Sequence, residues 1–258
     1  GQSVTVFDRG SAGKEATWAA AGMLAPQVEV EHGEEMLLPL ALESRGMWQG
    51  FASELLRETG VDVDYRDEGT IVVAIDRDDV EYLQHRMTYF ETLKLDVEWL
   101  SGHEIRKKQP HISRSVSAGI YSVLDHQVDN RKVAQALKSA FMASGGILKE
   151  HTDVRGVKTV GGRVSAIELI DNEILVDVVV LAAGAWSRNI SGLPNNSRPP
   201  VRPLKGQMVA VQMDPKAPLL ENVVWGPGNG IVPSIYLAPK SNGRLLIGAT
   251  VEEMGFDR

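Results

Sequence analysis

The sequence predicts a mixed α/β (α+β) architecture, with one open α/β domain interleaved with a second domain built on a largely antiparallel sheet. Three observations carry that expectation. A short β-favouring run, Val4 to Asp8, ends in an acidic residue and feeds the turn Asp8-Arg9-Gly10. Helix-like and strand-like periods then alternate as far as Leu181. Beyond a connection marked by Pro194, Pro199, Pro200 and Pro203 come three β-rich segments, Gly206 to Met213, Gly230 to Ala238 and Gly243 to Val251.

From Thr17 to Leu24 the chain is bulky at its ends and nearly bare between, so another helix or a ligand could approach its backbone closely. Apolar residues at three- and four-residue spacings from Glu34 to Thr59 predict a long helix, bent or started late by Pro39 and stopped by Gly60. Gly69 to Ile75 reads as a strand, after which Asp76 or Asp78 caps a helix carrying Val80, Leu83, Met87 and Phe90 on one side. Ser101 precedes a short helical stretch whose Arg106-Lys107-Lys108 reads as a solvated face, and Ser117 to Val123 is extended. Asp129 caps a helix with Val133, Leu137 and Ala140 in register, closed by Gly145-Gly146. Ile147 to Glu150 and Val154 to Val160 read as strands, and Val164 to Ile170 returns after Gly161-Gly162 as a hairpin. The continuous apolar run from Ile174 to Leu181 predicts a strand buried on both faces. The expected division assigns 1–60 and 129–190 to the first domain, 61–128 and 191–258 to the second.

Composition narrows the function. With 27 basic against 34 acidic residues the formal charge is −7, and no long basic stripe is present, which argues against a nucleic-acid partner. Zero cysteines remove disulfides, thiolate metal sites and cysteine nucleophiles, and suit a reducing cytoplasm. The six histidines show no metal-binding spacing, so no metal is expected. No apolar run has the length of a membrane span.

Chemistry concentrates at two places. An acidic residue ending a strand accepts hydrogen bonds from the ribose of a bound dinucleotide, and Asp8 stands in that position, although such a strand end is also a common turn. Its usual companion, a glycine loop about 20 residues upstream, has no room in the residues before Asp8. Gly10 to Glu15 is not a phosphate-cradling P-loop, for which both glycine spacing and the residue after Lys14 are wrong. The second place is Leu181 to Ser187, where Gly184 permits close backbone approach at a strand end.

Five stretches occur in order: Val6 to Gly10, Ala19 to Pro26 (Ala-Ala-Ala-Gly-Met-Leu-Ala-Pro), Val179 to Ser187, Pro200 to Gln207 and Gly243 to Glu253. Together the chain resembles the glycine oxidase branch of the D-amino-acid-oxidase-like FAD-dependent oxidoreductases over essentially its whole length. The resemblance implies FAD as cofactor, with a dinucleotide-binding FAD domain and a substrate domain. It implies that Asp8 and Arg9 meet the adenosine ribose, that Ala16, Thr17, Ala21, Gly22 and Met23 run along the pyrophosphate and flavin, that Val154 reaches the adenine end and that Gly184 closes the cofactor site. Ala25 and Val28 would flank the substrate, Tyr236 would place its hydroxyl near the substrate carboxylate, and Val251 would line the pocket. Outside the resemblance, Tyr236 also reads as a cross-strand packing residue, and Trp18 and Trp186 as packing residues.

The implied reaction is oxidative deamination of glycine or a similar small primary or secondary amino acid, through an imine to an oxo acid, with oxygen consumed and hydrogen peroxide released, as in the supply of an imine for thiamine biosynthesis. Against the family pattern, the first strand, its glycine loop and the late segment with a substrate-binding arginine are expected to lie outside the chain, and no catalytic acid or base is assigned. Arg202 and Arg244 read as structural or surface residues. Two other readings stand beside this one: an amino-acid dehydrogenase of D-amino-acid, proline or sarcosine type that uses another acceptor, and a non-catalytic module that does not hold FAD, the activity belonging to the parent protein. Homo-oligomerisation is left open.

Overall fold

The computed structural model describes residues 2–226, 228 and 234–257. In chain order the elements are β1 (Thr5–Phe7), α1 (Ala16–Ala19), β2 (Met23–Leu24), α2 (Leu38–Thr59), β3 (Thr70–Ala74), α3 (Arg77–Thr92), β4 (Val97–Ser101), α4 (Gly102–Lys108), β5 (Ala118–Ser122), β6 (His126–Gln127) and α5 (Asn130–Ala143). They continue with β7 (Ile147–Lys149), β8 (Gly156–Val160), β9 (Arg163–Glu168), β10 (Glu173–Leu175), two short 3-10 turns, β11 (Val209–Gln212), β12 (Val223–Gly226), β13 (Ile235–Pro239) and β14 (Arg244–Gly248).

The chain forms two compact units, one of Gly1–Ala16, Lys138–Gly206 and Val251–Arg258, the other of Thr17–Leu137 and Gln207–Thr250. This division differs from the expected one. Leu38 of α2 is buried with Leu83 and Phe90, so burial of its apolar face ties the segment before residue 60 to the sheet of the second unit. Backbone bonds of Ser191 to Arg155 and of Lys205 to Glu252 tie 191–206 and 251–257 to the first unit instead.

The second unit is built on a seven-stranded sheet in the order β11-β14-β13-β12-β3-β5-β4, antiparallel at every pairing except β12 with β3. β3 explains why both faces are covered. Its side chains alternate, Ile71 and Val73 joining one apolar cluster with Leu100, Ile105 and Val224, while Val72 and Ala74 join another with Leu83, Phe90 and Ile120. The second cluster is closed by α3, which starts in a capping box of Asp76 and Asp79. Full burial of Phe90 and Leu83 contributes about 1.5–3 kcal/mol each. Pro39 stands in the first turn of α2 and starts that helix late, and Gly60 ends it in a left-handed conformation. β4 and β12, which the sequence does not announce, complete the sheet.

In the first unit β1 pairs in parallel with β7, and β8, β9 and β10 form a separate antiparallel sheet. Here one expectation is corrected. The apolar run predicted as a buried strand from Ile174 to Leu181 is a strand only as far as Leu175, and Val178 and Val180 are exposed. Val-rich chain becomes a strand only where its backbone groups find a ladder partner, and among the described residues no strand runs beside 177–183. Of the strand expected over 230–238, residues 230–233 lie outside the described residues, and the part seen begins at Ile235.

Candidate functional site

The bare stretch of the second unit is held as a strap at three points. At its start, Asn130 Nδ2 donates to the Thr17 carbonyl, and Arg131 Nε donates to the Trp18 carbonyl at 3.1 Å while its guanidinium stacks 4.3 Å above the Trp18 ring. In the middle, Val128 N donates to Gly22 O at 2.8 Å, and β2 pairs with β6, Met23 opposite Gln127 and Leu24 opposite His126. At its end, both oxygens of the buried Asp125 carboxylate accept from the Gln27 and Val28 amides, at 3.0 and 2.7 Å. Burial pushes Asp125 up to about 6. His126 Nε2 donates to the Val123 carbonyl at 3.1 Å, which leaves Nδ1 to accept the Tyr65 hydroxyl at 2.6 Å, and burial keeps its pKa below the ordinary histidine value.

Behind the strap lies a buried polar network. Lys240, 2% exposed, donates to Gln127 Oε1 at 2.9 Å and to Val128 O at 2.8 Å, so it grips the segment that holds Gly22. Beside it Arg244 is paired with Asp129 at 2.9 Å, which assigns Arg244 a structural role. Arg202 pairs with Glu253 at the surface of the first unit.

Burial lowers Lys240 from 10.5 to about 8, against the opposing pull of Asp129 and Asp64. Between those values the unfolded chain binds more protons than the fold, so stability rises as pH goes from 8 towards 10.5. A difference of that size corresponds to about 3 kcal/mol. Lys240→Met is expected to lose this rise: in urea titrations at the two ends of the range, the wild type should gain about 3 kcal/mol on the variant. Parallel curves would show that Lys240 is charged and solvated in the fold.

Of the sequence-predicted residues, Ala21, Met23 and Tyr236 are brought into one apolar cluster with Val223, Trp225 and Met208, although more than two hundred residues of chain separate the first from the third. Tyr236 lies opposite Trp225 in the β12–β13 ladder with ring centroids 5.3 Å apart, so the packing role holds, and its hydroxyl reaches Met208 Sδ at 3.4 Å. Ala25 and Val28 are buried. Val28 borders a cavity of about 360 Å³ whose walls include Phe90, Ile120, Trp225, Arg86 and Glu29. The Arg86 fork is occupied by Glu31 Oε1 at 2.6 Å and Val28 O at 2.7 Å. Among the described residues the buried Trp225 indole N–H has no hydrogen-bond partner.

In the first unit Asp8 ends β1, its amide donating to Lys149 O and its Oδ1 accepting from Gly10 N at 2.8 Å. The Arg9 guanidinium lies 3.9 Å above Trp186, which stacks on Phe256 at 5.5 Å, so Trp186 packs as expected. Gly184 opens a short 3-10 turn with φ +51°, and among the described residues, its chain neighbours aside, no atom lies within 4 Å of where a Cβ would stand. Val154 is half-buried just before β8, Ala16 is exposed at the start of α1, Thr17 is exposed in the second unit, and Val251 is 74% exposed. Sequence reading missed Glu29, Asp125, Asn130, Arg131, Trp225 and Lys240. Only Asp125 and Asn130 carried a signal, standing among polar residues where an extended segment gives way to a helix.

Residues 1–258 match the family described as FAD dependent oxidoreductase. The chain belongs to that family. It is 34% identical to a glycine oxidase of Geobacillus kaustophilus (strain HTA426) over 257 residues, covering 99% of this chain and 65% of that protein. A crystal structure of glycine oxidase from Geobacillus kaustophilus superposes with a TM-score of 0.87 at 31% identity, over 98% of this chain and 66% of the other. The chain is also 32% identical to the hydrogen cyanide synthase subunit HcnC of Pseudomonas aeruginosa, over 84% of this chain and 51% of that protein. A bifunctional protein ThiO/ThiG of Synechocystis sp. is 32% identical over 97% of this chain and 35% of its own length. The chain thus spans about two thirds of the glycine oxidase it matches.

Each unit, taken by itself, carries features that suit the FAD of this family. A carboxylate at a strand end suits ribose hydroxyls, and the open side of Gly184 leaves room beside the backbone. In the second unit, a strap whose residues 19–22 carry no atom beyond Cβ suits the approach of a flat ring. No helix is long and apolar enough to cross a membrane among the described residues.

Proposed function

We propose that the full-length protein is an FAD-dependent oxidase of glycine or a similar small primary or secondary amino acid, yielding an imine that hydrolyses to an oxo acid and ammonia, with release of hydrogen peroxide. The observation that carries this reading is the meeting of the strap residues Ala21 and Met23 with Tyr236 in one cluster, next to a small cavity bordered by Val28. Likeness to a glycine oxidase and to a ThiO/ThiG protein supports the substrate class and a place in thiamine biosynthesis. When bound, FAD supplies the acceptor for the hydride leaving the α-carbon.

The chain's own residues bind, orient and enclose. Asp8, Arg9 and Val154 serve the adenosine end, and Gly184 closes the cofactor site. Ala16, Thr17, Ala21, Gly22 and Met23 accompany the pyrophosphate and flavin. Ala25, Val28 and Val251 shape the substrate pocket, and Tyr236 directs its hydroxyl to the substrate carboxylate. Rigid fixing of the strap at Thr17, Gly22 and Val28 gives Ala21, Gly22, Met23, Ala25 and Val28 the preorganised placement that orientation-driven catalysis requires.

Purified full-length protein is expected to be yellow and to release hydrogen peroxide with glycine or sarcosine. A colourless protein that FAD does not reconstitute would overturn the reading, whereas reduction of an artificial acceptor without oxygen uptake would make it a dehydrogenase. Asp8→Ala is expected to weaken FAD binding by roughly tenfold or more, the worth of hydrogen bonds to a charged group. Fluorescence titration of the apoprotein measures it, and unchanged affinity would remove Asp8 from the cofactor site.

A further inference from the structure

Two aromatic side chains beside the strap carry hydrogen-bond donors that the protein itself leaves without an oxygen acceptor. Trp225 of β12 and Tyr236 of β13 are direct cross-strand partners, so they project from the same face of the sheet, with ring centroids 5.3 Å apart. On that face they join Ala21 and Met23 of the strap. The Tyr236 hydroxyl reaches only a thioether, Met208 Sδ at 3.4 Å, which is a weak acceptor. The indole of Trp225 can only donate, and among the described residues its buried N–H meets no acceptor at all.

A buried indole N–H normally finds a partner, because withdrawing it from water without one is costly. Here the donor stands in a wall: Trp225 is half-buried and lines the cavity of about 360 Å³ that Val28 borders. The side chains packed around the pair, Val223, Ala238 and Leu246 with Ala21, Met23 and Met208, bring neither oxygen nor charge. Glu29 borders the same cavity, but it is exposed and its charge is screened by water. Two donors in an apolar setting with no acceptor of their own select a ligand that supplies one, and a carboxylate supplies two.

We infer that Trp225 is a substrate-binding residue whose indole N–H donates to one oxygen of the substrate carboxylate, the other oxygen being left to Tyr236. The inference rests on the proposed function and deepens it with a residue that determines which amines are accepted. An amine without a carboxylate leaves the N–H buried and unpaired, so the site rejects it by the cost of that orphaned donor. A phenylalanine at 225 would pack in the same cluster but would not select. Met208, unbranched and flexible, is the side chain that yields when a carboxylate oxygen replaces its sulfur at the Tyr236 hydroxyl.

The test uses the full-length protein with its FAD. Acetate, a carboxylate without an amine, should bind the wild type, and Trp225→Phe should weaken it by roughly tenfold or more, the worth of a hydrogen bond to a charged group. With glycine as substrate the same variant should raise KM by roughly tenfold or more and leave kcat within about twofold, because the bond is made before the reaction and kept during it. A second measurement needs no variant. The Trp225 indole proton, assigned by NMR through the backbone, should move downfield when acetate is added and stay in place with ethylamine, which keeps the amine and lacks the carboxylate. If Trp225→Phe keeps its acetate affinity, or if the indole proton is indifferent to acetate, the inference is wrong. If the wild type oxidises no small amine the proposed function fails, and the acetate titrations still decide whether Trp225 holds a carboxylate.

Discussion

Replacing Gly22 by alanine is expected to destabilise the protein by about 3 kcal/mol or more, lowering the melting temperature by roughly 6–12 °C. Two effects add. Gly22 has φ +76°, a region that costs an L-residue about 1–2 kcal/mol. A Cβ there would stand 2.2 Å from the Val128 carbonyl oxygen and 3.2 Å from the Asn130 amide, both backbone atoms that cannot swing away. The strap must then lift from the segment holding it, breaking the Val128–Gly22 hydrogen bond and loosening Ala21 and Met23. Gly33 supplies the control, because its φ is +94° but among the described residues, its chain neighbours aside, no atom lies within 4 Å of its Cβ position. Gly33→Ala should show only the backbone cost, about 1 kcal/mol. Equal melting temperatures for the two variants would mean that Gly22 is not in close contact with Val128.

What could be read in the sequence followed the range of the interaction concerned. Helices declared themselves locally: Asp76 and Ser101 each carry a capping box with an acid three residues on, and Pro39 and Gly60 bound α2 by backbone chemistry alone. Strands depend on neighbours distant in sequence, which is why the apolar run after Ile174 misled and why the half-buried pattern of β4 went unnoticed. The compact units depart from the expected division for the same reason, since burial of Leu38 against α3 is invisible before the chain is folded.

The candidate site shows the same limit. The bareness of 19–22 and the glycine at 22 were visible, and the geometry gives that glycine its cause in the Val128 carbonyl. Lys240, in a Pro-Lys-Ser-Asn-Gly turn, has every mark of a surface residue, yet it is buried on Gln127 and Val128. Glu29 and Glu31 both border the cavity, and nothing in their run of acids with Glu34 and Glu35 announces it. Charged residues in loops acquire meaning from what faces them, and one sequence does not carry that.

Asp129→Ala is expected to cost about 3–5 kcal/mol, the usual consequence of leaving a buried cation without its partner, with roughly another 1 kcal/mol from a lost helix cap. Asp129 is 2% exposed and does two jobs at once: Oδ2 binds Arg244 at 2.9 Å, while Oδ1 accepts from the amides of Arg131 and Lys132 at the start of α5. Its charge also offsets Arg131 and, together with Asp64, Lys240, both of which feel the positive charge of Arg244. Asp129→Asn separates the two jobs, because asparagine caps a helix as well as aspartate does but carries no charge. Its deficit in urea unfolding should therefore approach that of the alanine variant, with the difference between them near the capping value. Adding Arg244→Met to Asp129→Ala should recover a large part of the loss, since the stranded charge goes with it. If the double variant is as unstable as the sum of the single ones, the two residues do not interact, and α5 is held by its cap alone. If it recovers, the ion pair is what fixes the start of α5, and with it the Asn130 and Arg131 side chains that hold the strap at Thr17 and Trp18.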